Sequence, residues 1–297
     1  MPGNLAPIQP QCTDFRSVAR ALTIVENSME GAGELLKGLV FKKNTPVIGI
    51  TGPPGAGKST LVNTLIGHLL TGGKKVAVLA VDPTSPFNFG SLLGDRIRMA
   101  AHFNHPDVFI RSLAARGSLG GLSAKTIEMT DVLRGAGFDF VIIETVGVGQ
   151  SEVEIAGLAD LTFLVLVPES GDDVQNMKSG LMEIADAFIV NKADRADAGL
   201  FANNLVKILH QNGSDDTPVF KTVATTGEGI MEVAGYVLSP NSKKNDRKAF
   251  LQAERAYRII QQKRMENVDR KKLAQQLKEA MKDNRFNLYT FLDSFYN

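Results

Sequence analysis

Between residues 15 and 39 the apolar residues Val18, Leu22, Val25 and Met29 recur at three- and four-residue steps. That is the period of an amphipathic helix or helix pair. From Pro46 the pattern changes, and short β-branched runs at 47–51, 75–82, 109–111, 140–145, 162–167, 187–191 and 219–222 alternate with helical stretches. Continuous apolar strands separated by helices predict an α/β fold with a mainly parallel central sheet flanked by helices. Past Pro240 the chain reads as helical and basic, with 14 lysines and arginines against 6 acidic residues over 243–285. Leu273, Leu277 and Met281 form a four-residue stripe there that has no sheet to cover, which predicts an interface and a homodimer. The expected organisation is a helical segment at 1–44, a sheet domain at 45–240 and a helical arm at 241–297.

Composition narrows the partners. The 297 residues are 43% hydrophobic and 22% charged, enough for one large or two ordinary cores. A net charge of +1 provides no global field for nucleic acid or an anionic membrane. The basic run near the C-terminus is interleaved with Glu254, Glu266, Asp269 and Glu279, so it reads as a solvated helical face. Cys12 is the sole cysteine, which excludes an internal disulfide or a cysteine-cluster metal site and fits a reducing cytoplasm. Residues 1–15 lack the pattern of a secretory signal, and no apolar run is long enough to cross a bilayer, so a cytoplasmic protein without a membrane partner is expected. His102 and His105 are spaced as His-x-x-His, but with four histidines in all and no cysteine cluster they do not read as a metal site.

The segment Gly52, Pro53, Pro54, Gly55, Ala56, Gly57, Lys58, Ser59 satisfies the whole phosphate-binding pattern between a predicted strand and a predicted helix. Backbone that curls around an oxyanion at a helix N-terminus needs glycine. Lys58 is placed to reach the β- and γ-phosphates, and Ser59, followed by Thr60, to hold magnesium through its hydroxyl. The expected fold is therefore a P-loop nucleoside triphosphatase.

A second motif chooses the base. The strand at 187–191 runs into Asn191, Lys192, Ala193 and Asp194. An aspartate carboxylate accepts from both guanine N1–H and the 2-amino group, a donor pair that adenine lacks. Asp194 is the candidate base reader, Asn191 the brace of its loop, and the Lys192 stem lies along the ring. GTP, GDP and magnesium are thus the expected ligands. Asp82 and Glu144 close predicted strands and Asp95 follows Gly94 in a loop, where open α/β sheets bind ligands and hard carboxylates suit magnesium. Glu144 also opens a stretch with the spacing of a GTPase switch, in which the Gly147 amide is available to the γ-phosphate. A glutamate there, rather than the more usual aspartate, departs from the commonest P-loop pattern. Asp172, Gln175 and Lys178 fall three residues apart and share one face of a helical turn.

These blocks resemble the ArgK/MeaB group of P-loop GTPases, whose members are similar to the chaperone of the cobalamin-dependent methylmalonyl-CoA mutase and often carry an older transport-ATPase label. The likeness runs from about Arg20 to Gly229 and is densest at 49–60, 81–86, 94–99, 116–121 and 144–152. The resemblance implies that Asp82, Asp95 and Glu144 surround magnesium and the attacking water, and that 169–178 is a switch answering to a partner mutase. Lys178 would then supply charge as an arginine finger does, with Gln175 and Asp172 beside it. It also implies that the C-terminal arm dimerises. Glu169 departs from the family pattern, where a small residue is usual, and so does the stretch 223–226, where GTPases often have a serine-alanine loop near the guanine oxygen. A metal-insertion GTPase or a transport-associated ATPase or kinase is the competing expectation; the first predicts a cysteine- and histidine-rich segment that is absent.

Overall fold

The computed structural model describes residues 9–41, 43–82, 99–114, 124–145, 155, 157–170, 182, 185–214, 216–239, 246–265, 268–283 and 286–293. The chain divides into two compact units, Met1–Gln252 and Ala253–Asn297.

In the first unit seven strands form one sheet: β1 (Val47–Thr51), β2 (Val76–Asp82), β3 (Val108–Ala114), β4 (Phe140–Thr145), β5 (Leu161–Leu166), β6 (Ala187–Asn191) and β7 (Val219–Thr222). Their order is β3-β2-β4-β1-β5-β6-β7 and every neighbouring pair is parallel. β1, β4, β5 and β6 are buried at every position, as their unbroken apolar runs require when helices cover both faces. β3 is longer than the apolar pattern suggests, because it stays in register with β2 from Val108 opposite Val76 to Ala114 opposite Asp82. Ladder hydrogen bonds carry the strand past Arg111 through the polar Ser112, beyond the stretch 109–111 that the pattern gives. Strand order reverses beside β1, so the ends of β1, β2, β4 and β6 meet at the sheet edge where such folds bind ligands.

The leading helical segment is a helix pair, α1 (Phe15–Glu26) and α2 (Ala32–Lys37). Asp14 caps α1 by accepting from the Arg16 amide at 3.1 Å. Val18, Ala21, Leu22 and Val25 are buried, whereas Met29 is 51% exposed. The stripe stops short of Met29 because α1 ends at Glu26 and the chain turns through positive φ at Ser28 and Gly31. Phe15 packs edge-on against Phe109 of β3 and stacks on Phe138, while Glu26 accepts from Arg111 of β3 at 2.6 Å. The segment is thus tied to the sheet by aromatic contact and by charge.

Among the described residues, the helices that follow in this part of the chain are α3 (Lys58–Thr71), α4 (Ala124–Ala136), α5 (Ala198–Gln211) and α6 (Ile230–Leu238). α3 buries Leu61, Val62, Leu65, Ile66 and Leu69 against the sheet. At about 25 cal/mol per Å² of apolar surface, each of those side chains contributes roughly 1.5–3 kcal/mol. α7 (Asp246–Met265), α8 (Arg270–Ala280) and α9 (Leu288–Asp293) follow. Leu273 and Leu277 are half-buried on α8, and Met281 lies one residue past its end, 65% exposed. Among the described residues no helix is long and apolar enough to cross a membrane.

Asp139, on the turn into β4, accepts from the Lys43 ammonium and from the Lys75 amide, each at 2.7 Å. Burial pushes its carboxyl upward, but the Lys43 hydrogen bond, the Lys75 amide and the charges of Lys43 and Lys74 outweigh it and hold the group below its ordinary 3.8. A depressed carboxyl stabilises the fold fully above the unfolded value and loses that contribution as pH falls toward the folded value. Discounted for solvent screening, Asp139→Asn should cost about 0.5–1 kcal/mol at pH 7. Urea unfolding should show the gap to the parent protein closing below pH 3.8.

Candidate functional site

β1 leaves the sheet at Thr51 and enters a loop whose glycines are fixed by what lies beside them. Gly52 has φ 141°, and a Cβ there would sit 2.0 Å from the carbonyl oxygen of Val165 on β5. Gly57, at φ 84°, caps α3, and its Cβ would lie 2.4 Å from Nδ2 of Asn191. A side chain at either position is excluded by conformation and by collision.

Lys58 opens α3 and is buried. Its ammonium donates to the carbonyls of Gly52 at 2.7 Å and Pro53 at 2.9 Å, so the charge lies across the loop that it closes. One residue on, the Ser59 hydroxyl donates to Oε1 of Glu144 at 2.6 Å, with both residues buried. A short bond to a carboxylate is among the stronger neutral-to-charged contacts. Register explains the meeting: Glu144 sits opposite Ile50 on β1 and opposite Ala80 on β2. The hydroxyls of Thr51 and Thr145 bond across the same pair of strands at 3.0 Å.

Serine hydroxyl and glutamate carboxylate are hard oxygen donors beside a helix N-terminus, a set that fits magnesium and not a soft metal. Among the described residues no cluster of three or more His, Cys, Asp or Glu could hold a metal alone. The pair suits an ion whose remaining ligands are phosphate oxygens and water. Asp82 ends β2, where its main chain pairs with Ala114, at the same sheet edge as Glu144. Asp95, Gly147, Asp172, Gln175 and Lys178 lie outside the described residues.

Asn191 ends β6 almost wholly buried, and its amide joins three segments. Nδ2 donates to the Ala56 carbonyl in the phosphate loop at 2.8 Å. Oδ1 accepts from the Thr222 hydroxyl and from the Ala224 amide, each at 3.1 Å. The bracing expected of this residue therefore reaches further than its own loop. Lys192 follows at φ 58°, a left-handed conformation uncommon for a residue with a side chain. The Ala193 amide donates to Thr222 and the Arg195 amide to Lys192, leaving Asp194 exposed at the tip of the turn. Arg195 is ion-paired with Glu169, which lies in a 3₁₀ turn (Pro168–Ser170) after β5.

Thr222, which ends β7, was not legible as a site residue; Ala224 lies in the stretch 223–226, placed from the sequence where a serine-alanine loop is usual. The two histidines take separate partners: His102 Nε2 lies 3.0 Å from the Asn63 carbonyl, and His105 Nδ1 accepts from the Asp107 amide at 3.2 Å.

A phosphate loop between β1 and α3, an oxygen-donor pair at its helix and a guanine-type loop after β6 define a P-loop nucleoside triphosphatase of the GTPase kind. A family model described as methylmalonyl-CoA mutase-associated GTPase MeaB matches residues 18–282. The chain belongs to this MeaB family of P-loop GTPases. A Pyrococcus abyssi protein, named as a GTPase by inference, is 51% identical over 227 residues, covering 74% of this chain and 70% of its own. The mouse mitochondrial protein named as the methylmalonic aciduria type A homologue is 35% identical over 239 residues, covering 73% of this chain and 57% of its own. The crystal structure of a LAO/AO transport system kinase superposes with a TM-score of 0.66 at 26% identity, covering 95% of this chain and 92% of that one.

Replacing Asn191 by alanine strands the buried Ala56 carbonyl, the Thr222 hydroxyl and the Ala224 amide. Asn191→Ala should cost about 3 kcal/mol, at roughly 1 kcal/mol for each group left unmatched. Urea unfolding gives the number. Gly57→Ala in that background should cost less than in the parent, since the collision with Nδ2 is gone and only the positive φ remains.

Proposed function

We propose that this chain binds GTP and GDP with magnesium, hydrolyses GTP, and serves as a chaperone and regulator of a cobalamin-dependent acyl-CoA mutase of the methylmalonyl-CoA type. The observation that carries the guanine reading is the placement of Asp194. Its carboxylate is exposed, without an ion pair or hydrogen bond among the described residues, one turn beyond the Asn191 amide that grips the phosphate loop. A ligand with phosphates on Gly52–Ser59 and a base bearing two adjacent donors satisfies both ends at once.

In this reading Lys58 moves its ammonium from the loop carbonyls to the β- and γ-phosphates. Gly52, the stretch from Gly55 to Thr60 and Gly147 offer main-chain amides, Pro53 and Pro54 shape the loop without an N–H to give, and Lys192 lies along the base. Magnesium, when bound through Ser59 and with Asp82, Asp95 and Glu144 as direct or water-bridged partners, neutralises charge that develops on the phosphoryl oxygens. In the structure Glu144 accepts a hydrogen bond from the Ser59 hydroxyl, which fixes that side chain beside the phosphate loop.

Support for the mutase as partner comes from the family description and from the name of the mouse relative. Asp172, Gln175 and Lys178 form the partner-responsive switch, with Lys178 as the charge supplied on docking. Residues 45–240 are the GTPase domain, 241–297 the dimerisation arm, and the protein works in the cytoplasm. The name of the similar crystal structure favours a second reading, a transport-associated kinase that passes phosphate to an acceptor other than water.

Calorimetry should find GDP bound at least about tenfold more tightly than ADP, the worth of a lost pair of base hydrogen bonds. Asp194→Asn should remove that preference, and equal affinity in the parent protein would sink the guanine assignment. Phosphate release into water should rise when an acyl-CoA mutase is added, by about a thousandfold if a docked cation completes the site. Lys178→Ala should abolish the rise; radiolabel appearing on an acceptor instead would favour the kinase.

A further inference from the structure

We propose that Thr64 is a positioning residue for guanine discrimination, acting through the main chain of the turn that follows β7. The inference rests on the guanine reading above and extends it to a helix residue outside both nucleotide motifs.

Thr64 lies on α3, one turn beyond Thr60, and its hydroxyl faces two carbonyl oxygens. One is that of Thr60 on the preceding turn at 3.0 Å, the usual resting place of a helical threonine hydroxyl. The other is that of Ala224 at 2.8 Å, 160 positions away in sequence. The Thr64 methyl carbon is the atom that a Cβ on Gly227 would meet, at 3.7 Å. The hydroxyl therefore holds one arm of the turn while the methyl faces the other.

That turn is closed by its own main chain. The Val223 amide donates to Glu228, and the Thr226 and Gly227 amides both donate to Val223. The Glu228 amide reaches the Thr226 hydroxyl at 3.5 Å, and the Ala224 amide donates to Asn191. Among the described residues, the Thr225 amide is the one in 223–228 that finds no acceptor. Ala224 is buried and held from both sides, its amide by Asn191 and its carbonyl by Thr64.

A trans peptide is planar, with its C=O and the next N–H pointing in opposite directions. By holding the Ala224 carbonyl toward α3, Thr64 aims the Thr225 amide away from α3. The turn shares the Asn191 clamp with the Asp194 loop and Thr225 is exposed, so a base held by Asp194 can offer that amide an acceptor in place of water. The guanine 6-oxo oxygen is such an acceptor; adenine carries a donor at the same position. The side chains of the turn do not enter, which explains how Val223, Ala224, Thr225 and Thr226 suffice where a serine-alanine loop is the commoner choice.

The test compares GDP, 6-thio-GDP and inosine diphosphate by calorimetry on the full-length chain. The thio analogue keeps the N1–H and 2-amino donors for Asp194 but weakens the acceptor at position 6; inosine diphosphate keeps the 6-oxo group and lacks the 2-amino group. Thr64→Val, which retains the methyl and removes the hydroxyl, should weaken GDP about five- to tenfold, the worth of one well-placed hydrogen bond. It should leave 6-thio-GDP nearly unchanged, so that the GDP to 6-thio-GDP ratio collapses while the GDP to inosine diphosphate ratio stands. Thr64→Ser should keep the parent ratios. Equal weakening of all three nucleotides by Thr64→Val, or an unchanged GDP to 6-thio-GDP ratio, overturns the proposal. Failure of the guanine reading is separately visible, as GDP and ADP binding equally to the parent protein.

Discussion

The buried amide of Asn191 is the contact on which the nucleotide site depends. One side chain, with one donor arm and one acceptor atom, bonds the phosphate loop through Ala56 and the turn after β7 through Thr222 and Ala224. It ties the two loops to each other, and loops not tied together are free to drift apart by more than a hydrogen bond tolerates. Burial makes the bonds matter: with water excluded, each unmatched group costs more than the bond itself returns. Gly57 is part of the same arrangement, since the amide occupies the space that any side chain there would need.

A second constraint is the distribution of charge at the sheet edge. Lys58 is buried against carbonyl oxygens and Glu144 against a serine hydroxyl, so neither ion faces the interior without polar contact. Burying an ion is tolerable only when dipoles replace its hydration. Carbonyls and a hydroxyl are weak enough partners to be exchanged for phosphate oxygens or a divalent cation, which bind the same groups more strongly. The site thus holds its charges against groups that a ligand can replace.

Much of this was legible in the sequence because the relevant signals are local. The strands at 47–51, 140–145 and 187–191 are mainly apolar runs bounded by turns, and the phosphate loop declares itself by spacing. Asn191 and Asp194 follow from a four-residue motif at a strand end. What escaped depended on contacts between distant positions. β3 gains Val108 and residues 112–114 from its ladder with β2, and the α1 stripe loses Met29 to a turn. Thr64 looks like any threonine on a helix, and only the folded chain shows that its hydroxyl meets a carbonyl 160 residues away. Asp95 and Gly147 were read from loop positions alone and Lys178 from three-residue spacing, with resemblance supplying the roles of Asp95 and Lys178.

The central position of β1 has a consequence for how the protein is made. Val47 donates its amide to Asp160, 113 residues later, and Thr51 meets Thr145, 94 residues later. At about 5–20 residues per second, a ribosome needs on the order of ten seconds to deliver both neighbours of this strand. For that interval the nascent chain carries an apolar strand and the phosphate loop with no sheet to receive them, which is the topology that folds slowly and exposes sticky segments. Nucleotide cannot rescue the intermediate, because the amide that steadies the loop is translated later still. This GTPase must therefore reach the end of β6 before its own ligand can help it fold.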